Sequence, residues 1–107
     1  MSRQRLKGNL ELVLLAAVAR GPAHGYALIE QLRIRSGGVL DLQQGAVYPC
    51  LHDLERRGFL TSEWIEVGGR RRKVYHITAS GRTRLELQRR SWESLSNAIQ
   101  YAIRGYT

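Results

Sequence analysis

The chain has 107 residues, room for about one domain with a modest core but not for a second, large substrate-binding domain. Lysine and arginine total 17 against 9 aspartate and glutamate, a net charge of +8 that favours polyanions over basic partners. A single cysteine, Cys50, excludes an internal disulfide and fits a reducing compartment.

The segment from Ser2 to Asn9 is basic and lacks the small-residue cleavage pattern of a secretory signal. Leu10, Val13, Leu14, Ala17 and Val18 then recur at helical spacing, which predicts a first helix from about Leu6 to Arg20, stopped by Gly21-Pro22. Its apolar run, Leu10 to Val18, contains Glu11 and is far shorter than the roughly 20 residues a membrane span requires. A core helix and a cytoplasmic protein with no membrane partner are therefore expected. A second helix is predicted from Gly25 to Arg35, with Leu28, Ile29 and Leu32 inward, ending at Ser36-Gly37-Gly38. Val39 to Leu42 reads as a brief strand or an extended connector.

The next stretch predicts a helix from Ala46 to Arg57, with Gly45 near its N-cap so that Pro49 falls close to the first turn. Val47, Cys50, Leu51 and Leu54 share one face, while Pro49, His52 and Arg56 lie on the opposite, open face. After the Gly58-Phe59-Leu60 corner, Thr61 to Val67 and Lys73 to Thr78 are rich in β-branched and aromatic residues and flank Gly68-Gly69, the mark of a hairpin. The tip is expected to carry Arg70, Arg71, Arg72 and Lys73 together, close to the open face of the helix. Thr78 suits the N-cap of a last helix from Ala79 to about Arg104. Along it Leu85, Gln88, Trp92, Leu95, Ile99, Ala102 and Tyr106 keep a 3-4 spacing, a heptad seam. The seam fits either a partner helix or a return onto the first helix.

A helix beside a basic finger outlines a winged helix-turn-helix, a mainly α fold with a small β-hairpin. Residues 1–78 would form the DNA-binding unit and residues 79–107 a long C-terminal dimerisation helix. Gln43, Gln44, Ala46, Tyr48, Pro49, His52 and Arg56 are the candidates to meet bases or backbone on the helix, although Tyr48 sits on the flank of the wheel and equally suits packing. The wing cations suit phosphates, with one arginine reaching the minor groove. His24 and Tyr26 suit a cap-and-packing role or a phosphate contact. His24, His52, His76 and Cys50 do not pair at metal-site spacing, and no histidine or aspartate stands at a fixed nucleophile-base spacing from Cys50. Neither a metal, nor a cofactor, nor an enzyme is expected. The competing reading is a winged-helix protein that binds RNA or DNA without sequence preference.

The chain resembles the PadR family of bacterial transcriptional regulators in its short form, with a single C-terminal helix. The resemblance rests on Leu6-Lys7-Gly8, His24-Gly25-Tyr26, the run Gly45-Ala46-Val47-Tyr48-Pro49-Cys50-Leu51, Leu54-Glu55-Arg56-Arg57-Gly58, Trp64, Gly68 to Tyr75, and Thr78 with Gly81. These pieces stand in the family's order and spacing and cover nearly the whole chain. Cys50 is a departure, since the family commonly has a small residue such as alanine there. The resemblance implies a homodimeric repressor on a palindromic operator of double-stranded DNA, contacted through Tyr48, Pro49, their neighbours and the wing. It also implies a last helix that dimerises against the partner's first helix, which brings in Leu10 and Leu14. Trp92, preceded by Ser91, resembles the family's tryptophan that stacks planar ligands, so a small aromatic effector is implied as well.

Overall fold

In the computed structural model, which describes residues 8–106, the apolar run at Leu10 forms helix α1 (Leu10–Arg20), and Leu14, Leu15, Ala17 and Val18 of this helix are buried. The expected start at Leu6 lies outside the described residues, but Gly8 and Asn9 form a turn and Asn9 is the N-cap, so the helix begins about a turn later than expected. Gly21 closes the helix by donating its N–H to the Val18 carbonyl. The chain then forms a short strand, β1 (Ala23–His24), and turns into helix α2 (Gly25–Arg35). His24 joins the two: its Nδ1 accepts the Ala27 N–H at 3.3 Å. Burial and the nearby Arg72 hold the imidazole pKa below its ordinary value, which keeps the ring neutral and able to accept.

Residues 39–42 form an extended connector without strand pairing. Helix α3 spans Gln44–Arg56, beginning ahead of the expected Ala46. Gln43 takes the extended cap conformation, and its carbonyl accepts the N–H groups of Ala46 and Val47, each at 3.0 Å. Pro49 therefore sits past the first turn, where it removes one backbone hydrogen bond, the one that would run to Gly45. The helix continues through it because Val47, Leu51 and Leu54 are completely buried on the core side.

Strands β2 (Leu60–Val67) and β3 (Arg70–Ile77) pair antiparallel in full register, and β1 adds to the other edge of β3, giving the order β1-β3-β2. Gly68 and Gly69 have φ of +58° and +78°, the left-handed pair that a two-residue hairpin turn needs to match strand twist. The turn is only these two glycines. The expected placement of the four cations on the tip is thereby corrected, because all of them lie within β3.

Helix α4 (Ala79–Ile103) starts under tight constraint. Thr78 Oγ1 accepts the Gly81 N–H at 3.0 Å, and the hydroxyls of Thr78 and Ser80 donate to the Gly58 carbonyl at 2.7 and 2.9 Å. A Cβ on Gly81 would stand 2.1 Å from the Phe59 carbonyl oxygen, so the first turn rests directly on the corner that follows α3. Glu11 of α1 completes the joint. It accepts from Arg84 Nε at 2.8 Å and lies 3.5 Å from Arg57 Nη1, and the two guanidiniums flank the Phe59 ring at 5.6 and 5.0 Å. Burial would raise the Glu11 carboxyl, but the hydrogen bonds and charges of its partners outweigh it and hold the pKa low.

Past Gln88 the helix leaves the body, and the molecule measures 56 × 28 × 21 Å. Trp92, Leu95 and Ile99 are 47%, 60% and 50% exposed, so the outer seam does not return onto α1. Two expected seam positions are corrected. Leu14 is 0% exposed inside its own core and presents nothing to a partner, and Tyr106 lies beyond the helix, after Gly105 at φ +81°. Leu10 and Leu85 pack against the core with partial exposure.

Gly81→Ala is expected to cost about 1–3 kcal/mol, the usual penalty for forcing extra volume into a closed contact. Thermal unfolding of the variant checks this; an unchanged midpoint would mean that the joint at Phe59 yields easily.

Candidate nucleic-acid interface

Helix α3 buries Val47, Leu51 and Leu54 and half-buries Cys50, which leaves Gln44, Pro49, His52 and Arg56 exposed, with Gln43 just ahead. Ala46 and Tyr48 are intermediate. Tyr48 packs over Gly25, where an added Cβ would meet its ring at 2.6 Å, so this tyrosine bolts α2 to α3 at the border of the open face. Gln43 makes no side-chain cap hydrogen bond, and the positive end of the helix dipole favours anions there. Arg56 pairs with Asp53 one turn back, and Arg57 meets the same carboxylate at 3.1 Å. Both pairs are solvent-exposed and so only weakly restrain the guanidiniums.

The wing is tied to α3 by one carboxylate. Glu55 accepts from Ser62 Oγ at 2.5 Å and holds Lys73 Nζ at 3.3 Å. The Ser62 hydrogen bond, reinforced by Lys73 against a small opposing burial effect, keeps the Glu55 pKa below the usual carboxylate range. Lys73 also lies over the Tyr75 ring at 5.7 Å. Strand periodicity then divides the cations. Arg71 and Lys73 share the sheet face of Ser62, Trp64 and Tyr75, the face turned to α3, while Arg70 and Arg72 share the reverse face with Val74 and His76. On the reverse face His76 pairs with Glu63 at 3.0 Å, and Arg70 and Arg72 form no ion pair among the described residues. The four wing cations therefore divide between the two sheet faces. Lys73 is an internal strut, the Arg71 guanidinium lies over the Trp64 ring at 4.9 Å, and Arg70 is exposed while Arg72 is half-buried.

Sequence reasoning left out Glu55 and Trp64 as working parts of this surface. The signal for both was present: Ser62, Trp64, Arg71 and Lys73 fall on one face once the strands are extended to the glycine turn. Burial, with help from Glu11 and Asp53, pushes the Cys50 thiol up to about 11, so it is protonated at neutral pH and no nucleophile. Among the described residues there is no group of three His, Cys, Asp or Glu side chains placed to hold a metal, and no helix is long and apolar enough to cross a membrane.

A helix pair α2–α3 with an exposed N-terminal face on the second helix, followed by a basic hairpin fixed beside it, defines a winged helix-turn-helix, a DNA-binding class. Comparison with known proteins narrows the class. The family described as "Transcriptional regulator PadR-like family" matches residues 14–87. The transcriptional regulator Rv3488 of Mycobacterium tuberculosis is 36% identical over 97 residues, covering 91% of this chain and 88% of that protein. A PadR-like transcriptional regulator from Bacillus cereus has a solved structure that superposes with a TM-score of 0.82 at 28% identity, covering 95% of this chain and 98% of that one. A PadR family transcriptional regulator from Eggerthella lenta gives the same TM-score and identity over 95% of this chain and 88% of its own. The chain belongs to the PadR-like family of transcriptional regulators, which implies DNA as its partner and a regulatory rather than an enzymatic role.

Because Lys73 is held by Glu55 and Arg72 is not paired, the two should behave differently on DNA. Arg72→Ala is expected to reduce the slope of log K against log salt by about 0.9 per chain, the loss of one phosphate contact, whereas Lys73→Ala changes the slope less. Binding titrations across salt concentrations check this, and equal slopes for the two variants would contradict the division.

Proposed function

We propose that the protein is a homodimeric repressor that binds a palindromic operator in double-stranded DNA in the cytoplasm and releases it in response to a small aromatic ligand. In this reading residues 1–78 hold the DNA and residues 79–107 form the dimer. The observation that carries it is the outer half of α4, where Trp92, Leu95, Ile99, Tyr101 and Ile103 expose an apolar surface beyond the body of their own chain. Trp92, Leu95 and Ile99 keep the heptad spacing, and Tyr101 and Ile103 widen the surface. Such a stripe is stabilised by a second helix, and a two-fold pair of chains presents two copies of α3 to two half-sites. Gln43, Gln44, Ala46, Pro49 and His52 meet the major groove in this reading, with Tyr48 and Arg56 at its margins. Arg70, Arg71 and Arg72 engage the backbone and the adjacent groove. Leu10, Leu85, Gln88 and Ala102 border the dimer contact.

The experiment is a competition under controlled salt between a duplex recovered by the protein from a random library, a scrambled duplex and an RNA of equal length, with the protein's mass read by analytical ultracentrifugation. The wild type should sediment as a dimer and prefer the recovered duplex by about a thousandfold or more. Leu95→Asp with Ile99→Asp should sediment as a monomer and lose cooperative binding to paired half-sites. A variant that remains dimeric places the contact elsewhere, and equal affinity for all three nucleic acids favours a binder without sequence preference.

Trp92 supports the ligand part of the reading. It lies half-exposed on the seam, so two copies facing each other across a two-fold axis would wall a flat aromatic slot. In a Trp64→Phe background, planar aromatic compounds should quench Trp92 saturably and weaken operator binding over the same concentration range. Quenching by none of a broad panel, with Trp92→Ala only loosening the dimer, would make the residue structural.

A further inference from the structure

Trp64 stays 59% exposed in the middle of β2 even though the Arg71 guanidinium lies over its ring, 4.9 Å from the centroid. Direct cross-strand neighbours are Trp64 with Lys73 and Glu66 with Arg71, so Trp64 and Arg71 are diagonal neighbours on one sheet face. Arg71 has the Glu66 carboxylate opposite it on the ladder, yet the guanidinium lies over the indole and forms no ion pair with Glu66 among the described residues. The face matters. Ser62 and Lys73, on the same side, both reach Glu55 of α3, so among the described residues Arg71 is the wing cation on the recognition-helix side that no carboxylate neutralises. Arg70 and Arg72 occupy the reverse side.

A guanidinium held over an indole keeps N–H groups available while its rotamers are already restricted, which lowers the ordering cost of placing it in a narrow groove. A·T-rich minor grooves are narrow and carry the enhanced negative potential that takes in such a group. We propose that Trp64 is a positioning residue that holds Arg71 on the α3 side of the wing for entry into the minor groove flanking each half-site, while Arg70 and Arg72 contact phosphates only. This rests on the DNA-binding reading above and adds to it the residue that reads the flank and the residue that aims it.

The test uses the full chain and the library-derived duplex, together with a version whose flanking A·T pairs are changed to G·C. Wild type should prefer the A·T flank, and Arg71→Ala should abolish that preference. Trp64→Leu should lose most of the preference and weaken binding to the A·T-flanked duplex about two- to fivefold, with the salt slope unchanged because no charge is removed. Trp64→Phe, which keeps an aromatic face, should restore the preference. Arg70→Ala and Arg72→Ala should keep it while each lowers the salt slope by about 0.9. Adding Trp64→Leu to Arg71→Ala should change nothing further. The proposal is overturned if Trp64→Leu retains the flank preference, if its effect persists in the Arg71→Ala background, or if the preference disappears with Arg70 or Arg72 instead. It is also overturned by a wild type indifferent to the flank. A wild type that binds the library-derived duplex no better than a scrambled one defeats the DNA-recognition reading itself, an outcome distinct from the others.

Discussion

The first turn of α4 lies on the Phe59 carbonyl, and only a residue without a Cβ can stand there. Gly81 permits the contact, the Thr78 and Ser80 hydroxyls close it by donating to Gly58, and Glu11 locks it from below through Arg57 and Arg84. Three helices thus meet within one turn of the corner that ends α3. The consequence is directional: where α4 points is fixed relative to α3, and any partner gripped by the outer seam inherits a fixed relation to the DNA-facing surface. A rigid joint of this kind converts the geometry of a dimer contact into the spacing of two recognition helices. It is also a mechanism by which a ligand between the seams would act, since a small change in how two α4 helices cross is carried to α3 without slack, limited by the ligand's preference for one arrangement.

A second constraint organises the charge. The net charge of +8 would be of little use spread evenly. Acidic residues instead restrain selected cations, Glu55 taking Lys73, Asp53 taking Arg56 and Arg57, Glu11 taking Arg57 and Arg84, and Glu86 with Glu93 taking Arg89. Arg70, Arg71 and Arg72 remain outside this set of pairs. The wing therefore concentrates cationic character that the rest of the surface partly cancels, and it does so at the end of a hairpin braced to α3 by a single carboxylate.

Much of the fold was legible because it rests on long periodic signals. The α2 and α4 patterns, the Gly21-Pro22 stop of α1, the Thr78 cap and the Gly68-Gly69 turn each follow from local chemistry and stand where the sequence places them, whereas α1 starts later than its periodicity suggests. Other features carry too little local information. The strand β1 is two residues long and exists only because β3 offers it an edge. The start of α3 moved to Gln44 because Gln43 adopts the cap conformation without a recognisable capping side chain, and burial of three core residues offset the proline. Leu14 shows a limit of periodicity, which identifies an apolar face but cannot say whether the chain's own core or another copy covers it. At the candidate site the exposed residues of α3 were legible from the wheel. The inequality of the four wing cations was not, because it depends on β3 beginning at Arg70 and on Glu55 reaching across from another element.

In the proposed dimer, α4 and the joint at Phe59 hold two α3 helices at a set distance on DNA. Hydroxyl-radical footprinting of the wild-type protein on its library-derived duplex measures that distance directly. Two protected segments are expected, symmetric about a central point and centred about one helical turn, or roughly 34 Å, apart. A single protected segment, or two whose separation varies from one bound duplex to another, would contradict this arrangement.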